Sequence, residues 1–156
     1  MADQVVKKTK ENKRTYIFAV GRRREAVARV RLHNPASGKV DMFQTVLKRG
    51  DVVVNGKQIQ EYFRYFGYTP IYNKFLQTTN AENNYIFTVK VRGGGLSGQL
   101  DAVLHGMARA LDKLDREKYH SSLKKNGYLT RDPRTRERRK VGNAGKARRK
   151  KSSPKR

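Results

Sequence analysis

Apolar positions recur at readable periods through the middle of the chain and lose all period toward its end. Residues 15–20 (TYIFAV) are β-branched and aromatic, the composition of a strand, and Gly21 after them suggests a bulge or bend. Ala26, Ala28, Val30 and Leu32 alternate with Glu25, Val27, Arg29 and Arg31, so a second strand has one apolar and one mostly charged face. Residues 34–38 form a turn by composition, and residues 39–47 read as a strand with an irregular loop. A short strand at 51–54 ends at Asn55-Gly56, a tight-turn dipeptide. Ile59, Tyr62, Phe63 and Phe66 then fall at helical spacing. Thr69-Pro70 reads as an N-cap with proline at the first helical position, and Ile71, Tyr72, Phe75 and Leu76 are the stripe of that second helix. The aromatics of both helices are expected in the core.

Residues 78–84 are a polar loop, after which the alternation is cleanest. Tyr85, Phe87, Val89 and Val91 face one way, and Ile86, Thr88, Lys90 and Arg92 the other. A glycine-rich run at 93–98 leads into the best helix, whose stripe is Leu100, Val103, Leu104, Met107, Ala108, Leu111 and Leu114. Residues 116–125 read as one more helix, stopped by Asn126-Gly127. No internal repeat is visible along the chain.

Charge changes the picture at the end of the chain. Residues 131–156 hold thirteen Lys or Arg and two acids, a net +11 out of +24 for the whole chain. Val141 is their one β-branched aliphatic residue, and they contain no aromatic. Such a segment cannot offset its ordering entropy by burial, so it is expected to take shape only on a polyanion, where counterion release supplies affinity. The chain therefore divides into a flexible lead at 1–15, a domain at 16–130 and a basic tail at 131–156. The 115 residues of the domain suffice for one modest core. Residues 1–130 are themselves basic, at a net +13. The pI of 10.7 lies above the value of about 9 that marks nucleic-acid proteins.

Other chemistry is excluded. The chain has no cysteine, so disulfides, thiolate catalysis and Cys-ligated metals are out. His33, His105 and His120 are too scattered for a metal site, and no cofactor is expected. No apolar run approaches a membrane span, and the first residues lack a secretory core, which leaves the cytoplasm as the expected compartment. Gly93-Gly94-Gly95-Leu96-Ser97-Gly98 matches G-x-G-x-x-G between a strand and a helix. A dinucleotide site also needs a second parallel strand ending in an acid, and here a charged helix and the tail follow. The glycines suit either a tight turn packing the helix on the sheet or an RNA phosphate held at the helix start. No catalytic constellation is present, so the chain is not expected to be an enzyme.

Three segments together carry a resemblance: GRRREAVARVRL at 21–32, VNGKQIQEYF at 54–63 and GGGLSGQLDAVLHGMARAL at 93–111. They are followed by YLTRDPRTRERRKVGNAGKARRKKSSPKR at 128–156. In order and wording these resemble the bacterial type of the ninth protein family of the small ribosomal subunit. The resemblance implies an α+β domain with a four-stranded mixed sheet backed by helices, an unusual left-handed βαβ crossover, and a long extended C-terminal tail. It also implies a place in the head of the small subunit on its ribosomal RNA, beside neighbouring head proteins. The tail would reach the peptidyl-site tRNA, with Lys155 and Arg156 on the anticodon stem-loop backbone. Two departures stand out. Residues 41–49 look like an insertion, and Lys150-Lys151-Ser152-Ser153-Pro154 replaces the family's commoner Pro-Gln-Phe-Ser approach to Lys-Arg.

These readings converge on an RNA interface. Arg22, Arg23, Arg24, Arg29 and Arg31 would position the domain, with Gly93, Gly94, Gly95 and Ser97 at the helix start. Arg131, Arg134, Arg136, Arg138, Arg139, Lys140, Lys146, Arg148, Arg149, Lys150 and Lys151 would line the tail. Gly142 and Gly145 would let it bend, and fully extended it spans at most about 85–90 Å. The competing classes are a free-standing nucleic-acid packaging protein and a nucleotide-dependent enzyme built on the glycine loop.

Overall fold

The computed structural model describes residues 16–34, 39–42, 45–80 and 84–149. The lead at 1–15, most of the turn at 34–38 and the tail end at 150–156 lie outside the described residues. The strands are β1 (Tyr16–Arg23), β2 (Ala26–His33), β3 (Lys39–Met42), β4 (Thr45–Lys48), β5 (Val52–Val54), β6 (Lys57–Gln58) and β7 (Ile86–Arg92). The helices are α1 (Ile59–Tyr62), α2 (Thr69–Thr79), α3 (Leu96–Leu114) and α4 (Arg116–Lys125). One sheet has the order β1-β2-β7-β5-β6, with β5 and β7 parallel and the other neighbours antiparallel. The fold is thus α+β with a mixed sheet, but of five strands rather than four. Asn55-Gly56 makes the difference: both residues adopt positive φ, the chain turns back, and β6 pairs with β5 before α1 begins.

The core lies between this sheet and α3, which packs across β1 and β2, with α2 and α4 beside it. Ala26, Ala28, Val30 and Leu32 of β2 and Phe87, Val89 and Val91 of β7 face it, as their alternation predicts. Gly21 does not make a bulge. It sits in regular register opposite Ala28. Its lack of a side chain serves packing instead, because a Cβ there would fall inside the carbonyl oxygen of Ala102 on α3. Gly106 of α3 is the counterpart, where a Cβ would meet Val30 Cγ2 at 2.6 Å.

Helix α3 also closes the free edge of β1. Arg109 and Lys113 donate side-chain hydrogen bonds to the carbonyls of Val20 and Phe18, and the Arg22 amide donates to His105 Nδ1 at 3.4 Å. Residues 105, 109 and 113 recur on one face of the helix, so a single row satisfies the edge that would otherwise recruit another strand.

Other expectations need correction. The first helix is four residues long and ends at Phe63, whose φ of −102° and ψ of 65° leave the helical region. The spacing that placed Phe66 in the core is broken there, and Phe66 is 80% exposed in a 3-10 turn. That turn leads directly into α2, so Thr69 is the first helical residue and makes no cap hydrogen bond. Ile71 is exposed, while Tyr72, Phe75 and Leu76 are buried. Helix α2 runs to Thr79 and closes on Asn80 at φ 49°, later than the loop boundary the composition suggested. Helix α4 is capped by Asp115, which accepts from the Lys118 amide at 3.0 Å, and stops at left-handed Gly127. Beyond it Tyr128 packs edge-on to Phe75 at 5.0 Å between ring centroids.

Residues 39–48, read as a strand with a loop, form the β3–β4 hairpin. Its Leu47 and Val40 cover Val53 and Ile86 on the sheet face opposite α3. This second layer is why Ile86 is buried although it alternates out of phase with the core face.

Candidate nucleic-acid interface

The hairpin covers one end of the outer sheet face and leaves the other open. Alternation brings Phe18, Arg29, Arg31, Lys90 and Arg92 onto the open part, and the register sets them side by side. Arg31 is opposite Phe18 on one side and Thr88 on the other, and Arg29 is opposite Lys90. A shallow groove of about 780 Å³ runs between them, and no acid among the described residues lines it. At its edge the Arg31 guanidinium lies 5.0 Å from the centroid of the Tyr16 ring. His33 is buried beneath and hydrogen-bonded to Thr88 Oγ1 at 3.1 Å. Burial first, and then the Arg31 charge, holds its pKa below the ordinary value.

The glycine loop lies against the β1–β2 turn. Gly93 and Gly94 have φ of 77° and 64°, and a Cβ on either would press on Glu25 or Ala26. Tight packing therefore accounts for these two glycines. Gly95 is the N-cap of α3, makes no side-chain cap bond and has open space around it. A polar chain fixes the loop: Gln99 Nε2 donates to the Gly93 carbonyl at 3.1 Å, Tyr62 Oη donates to Gln99 Oε1 at 2.9 Å, and Asn55 Nδ2 donates to Tyr62 Oη at 3.2 Å. Asn55 also exchanges hydrogen bonds with both backbone groups of Val91. Helix α3 is followed by α4 and by no further strand of the sheet among the described residues, so the dinucleotide arrangement is absent.

The tail leaves the domain at a clamp. Arg23, 14% exposed, bonds Asp132 at 3.0 Å, Asp101 at 3.4 Å and the Arg134 carbonyl at 3.4 Å. Asp132 in turn accepts from the Arg134 amide and guanidinium, and those bonds hold its carboxyl well below the usual range. His105, besides accepting from Arg22, is hydrogen-bonded to the backbone at Leu129. Burial first, and then Arg109, lowers its pKa. The sign of the pH dependence follows. His33 and His105 both have folded pKa values below 6.5, so their contribution is complete above pH 6.5 and is lost as pH falls through the folded values. We expect thermal stability to be flat above about pH 7 and to fall toward about pH 5, with a weaker fall in His105→Gln. A profile flat down to pH 5 would contradict the neutral state of buried His33 and half-buried His105.

From Arg131 to Lys140 the chain has no helix or strand, and a looped turn follows. The Lys140 amide donates to the Lys146 carbonyl at 3.1 Å, and Arg148 Nε donates to Glu137 Oε2 at 2.9 Å. Gly142 and Gly145 take φ of 82° and 70° inside this turn. Both acids of the tail are thus engaged by arginines, and such exposed pairs add little to stability.

The structure sorts the expected site residues by place. Arg22 and Arg24 are exposed at the β1–β2 end, Arg29 and Arg31 on the open face, and Gly93, Gly94, Gly95 and Ser97 at the start of α3. Arg131, Arg136, Arg138, Arg139, Lys140, Lys146 and Arg149 are exposed along the tail. Arg23, Arg134 and Arg148 are engaged within the protein. Lys150, Lys151, Lys155 and Arg156 lie outside the described residues. The sequence reading missed Lys90, Arg92, Tyr16 and Phe18. Their alternation was visible, but only the β2–β7 and β1–β2 pairings show that they join Arg29 and Arg31.

Among the described residues no group of acids, histidines or cysteines is placed to hold a metal, and no helix is long and apolar enough to cross a membrane. The family model of ribosomal protein S9/S16 matches residues 21–156. The chain is 44% identical over 130 residues to the small ribosomal subunit protein uS9 of Trichormus variabilis, covering 83% of this chain and 84% of that one. The same figures hold for the small ribosomal subunit protein uS9 of a Nostoc species. A match over most of the chain, on the segments that build the sheet, the glycine loop and the tail, places this protein in the ribosomal protein S9/S16 family.

Proposed function

We propose that the chain is a constituent of the head of the small ribosomal subunit, binds small-subunit ribosomal RNA through its domain and tail, and touches the peptidyl-site tRNA with its tip. As a member of a ribosomal protein family it has a structural role and is not an enzyme. The observation that carries the RNA reading is where the charge goes. Arg23, Arg109 and Lys113 bind the protein itself, whereas Arg22, Arg24, Arg29, Arg31, Lys90, Arg92 and most of the tail present cations with no counter-charge among the described residues. Ribosomal RNA is A-form and branched, and is recognised mostly through phosphates, 2′-hydroxyls and shape, which suits such a surface.

On this reading the clamp at Arg23 and Asp132 aims the tail, Gly142 and Gly145 turn it, and Arg131 to Lys151 neutralise phosphates along its path. The uncapped start of α3 at Gly95 and Ser97 offers amides to one further phosphate. On the same reading the connection from β5 to the parallel β7 would be the left-handed crossover that the resemblance implies, against the usual hand. Neighbouring head proteins are the remaining partners. At the tip, contacts confined to backbone charge serve every tRNA alike.

Two measurements test this. The chain should co-sediment with small subunits through a high-salt wash, which a free-standing packaging protein would not survive. Removing Lys155 and Arg156 should leave subunit assembly intact and speed loss of tRNA from the peptidyl site by several-fold, about one to two lost charge contacts' worth. Failed assembly in that variant would overturn the division between anchor and tip.

A further inference from the structure

The open sheet face carries more than phosphate neutralisation requires. Phe18 stands on it 36% exposed, on the edge strand β1 and opposite Arg31. Arg29 and Lys90 are direct cross-strand partners, although like charges so placed are destabilising, and no acid among the described residues lines the groove to relieve them. An anion seated between them removes that repulsion. The hairpin buries the apolar end of the face under Leu47 and Val40 but leaves the aromatic, cationic end open. An A-form duplex keeps its base faces stacked inside and offers an exposed ring nothing. An unpaired base offers a π-face, and stacking on an aromatic ring is how sheet surfaces hold single strands.

We propose that this groove binds a single-stranded stretch of ribosomal RNA, with one unpaired base stacked on Phe18 and its flanking phosphates on Arg29, Arg31 and Lys90. The proposal rests on the ribosomal RNA reading above and narrows it to unpaired nucleotides at one place. Arg31, already held over Tyr16, presents a flat guanidinium beside the platform.

The chain has no tryptophan, so Phe18→Trp installs a lone indole on the face. The full chain carrying it is titrated with an oligouridylate of about eight nucleotides and with an RNA duplex of equal length. Salt of about 0.3 M weakens purely ionic binding by the tail. The oligouridylate should quench the indole emission and the duplex should not. Adding Arg29→Gln and Lys90→Gln should raise the half-quenching concentration about tenfold. Phe18→Leu, tolerated at an exposed position, should lower oligouridylate affinity about tenfold by anisotropy and leave duplex affinity unchanged. Oligouridylate binding seen by anisotropy without quenching would overturn this site and leave the ribosomal RNA reading standing. Equal quenching by duplex would overturn the stacked base in favour of phosphates alone. An indole already shielded in the free chain and unmoved by RNA would give the face to another part of this chain, and overturn the proposal. Absence of any RNA binding would overturn both this site and the reading it rests on.

Discussion

Truncation after Thr135 should flatten the salt dependence of RNA binding while leaving the domain folded. The cut removes eleven Lys or Arg and one acid, yet keeps Asp132 and the Arg134 carbonyl in the clamp with Arg23. Each lost phosphate contact reduces the slope of log affinity against log salt by about 0.7–0.9. Six to ten contacts would carry about three to five decades of the change in affinity between low and moderate salt. The measurement is binding of the full and truncated chains to one small-subunit ribosomal RNA fragment across a salt series, with circular dichroism to confirm the fold. A slope that does not change would show that the domain, and not the tail, supplies the electrostatic contact.

The second large effect concerns folding. Gly21→Ala places a Cβ inside the Ala102 carbonyl, and Gly106→Val drives methyls into Val30 and the β1 backbone. Overpacking a well-filled core costs about 1–3 kcal/mol and occasionally more. Here the obstacle at Gly21 is the backbone of α3, with no rotamer to move aside, so the cost should reach the upper end or beyond. The strain would also pull α3 off the row of edge bonds made by His105, Arg109 and Lys113. Gly95→Ser is the control: its Cβ meets nothing within 4 Å, and serine is a good N-cap. Urea unfolding of the three variants should rank Gly95→Ser near wild type and the other two far below it. Equal stability of all three would mean that α3 does not approach β1 this closely.

Much of this was legible in the chain. Period two in residues 26–32 and 85–92 and period 3.6 in residues 100–114 named the central strands, the main helix and their buried faces, because alternation and helical pitch are local geometry. The stop at Gly127 was equally local. The first helix was not legible in the same way. Ile59, Tyr62, Phe63 and Phe66 have the right spacing, but the backbone turns at Phe63 and exposes Phe66. Gly21 looked like a bend because a lone glycine in a strand commonly is one, and only the approach of Gly106 gives it another purpose.

The candidate interface divides in the same manner. Arg29 and Arg31 were read from their own strand, and the tail from composition alone. Arg23 looked like its neighbours Arg22 and Arg24, and only folding turns it inward onto Asp101 and Asp132.

By itself, then, the sequence determined the central strands, the main helix and their apolar faces, and a cationic end of the chain without core residues. Those are consequences of backbone period and net charge, both local or additive along the chain. Which strands become neighbours, which cations face outward together and which are consumed by carbonyls and carboxylates was decided by the tertiary structure. Pairings such as Arg29 with Lys90 join residues far apart in the chain, and no local periodicity encodes them.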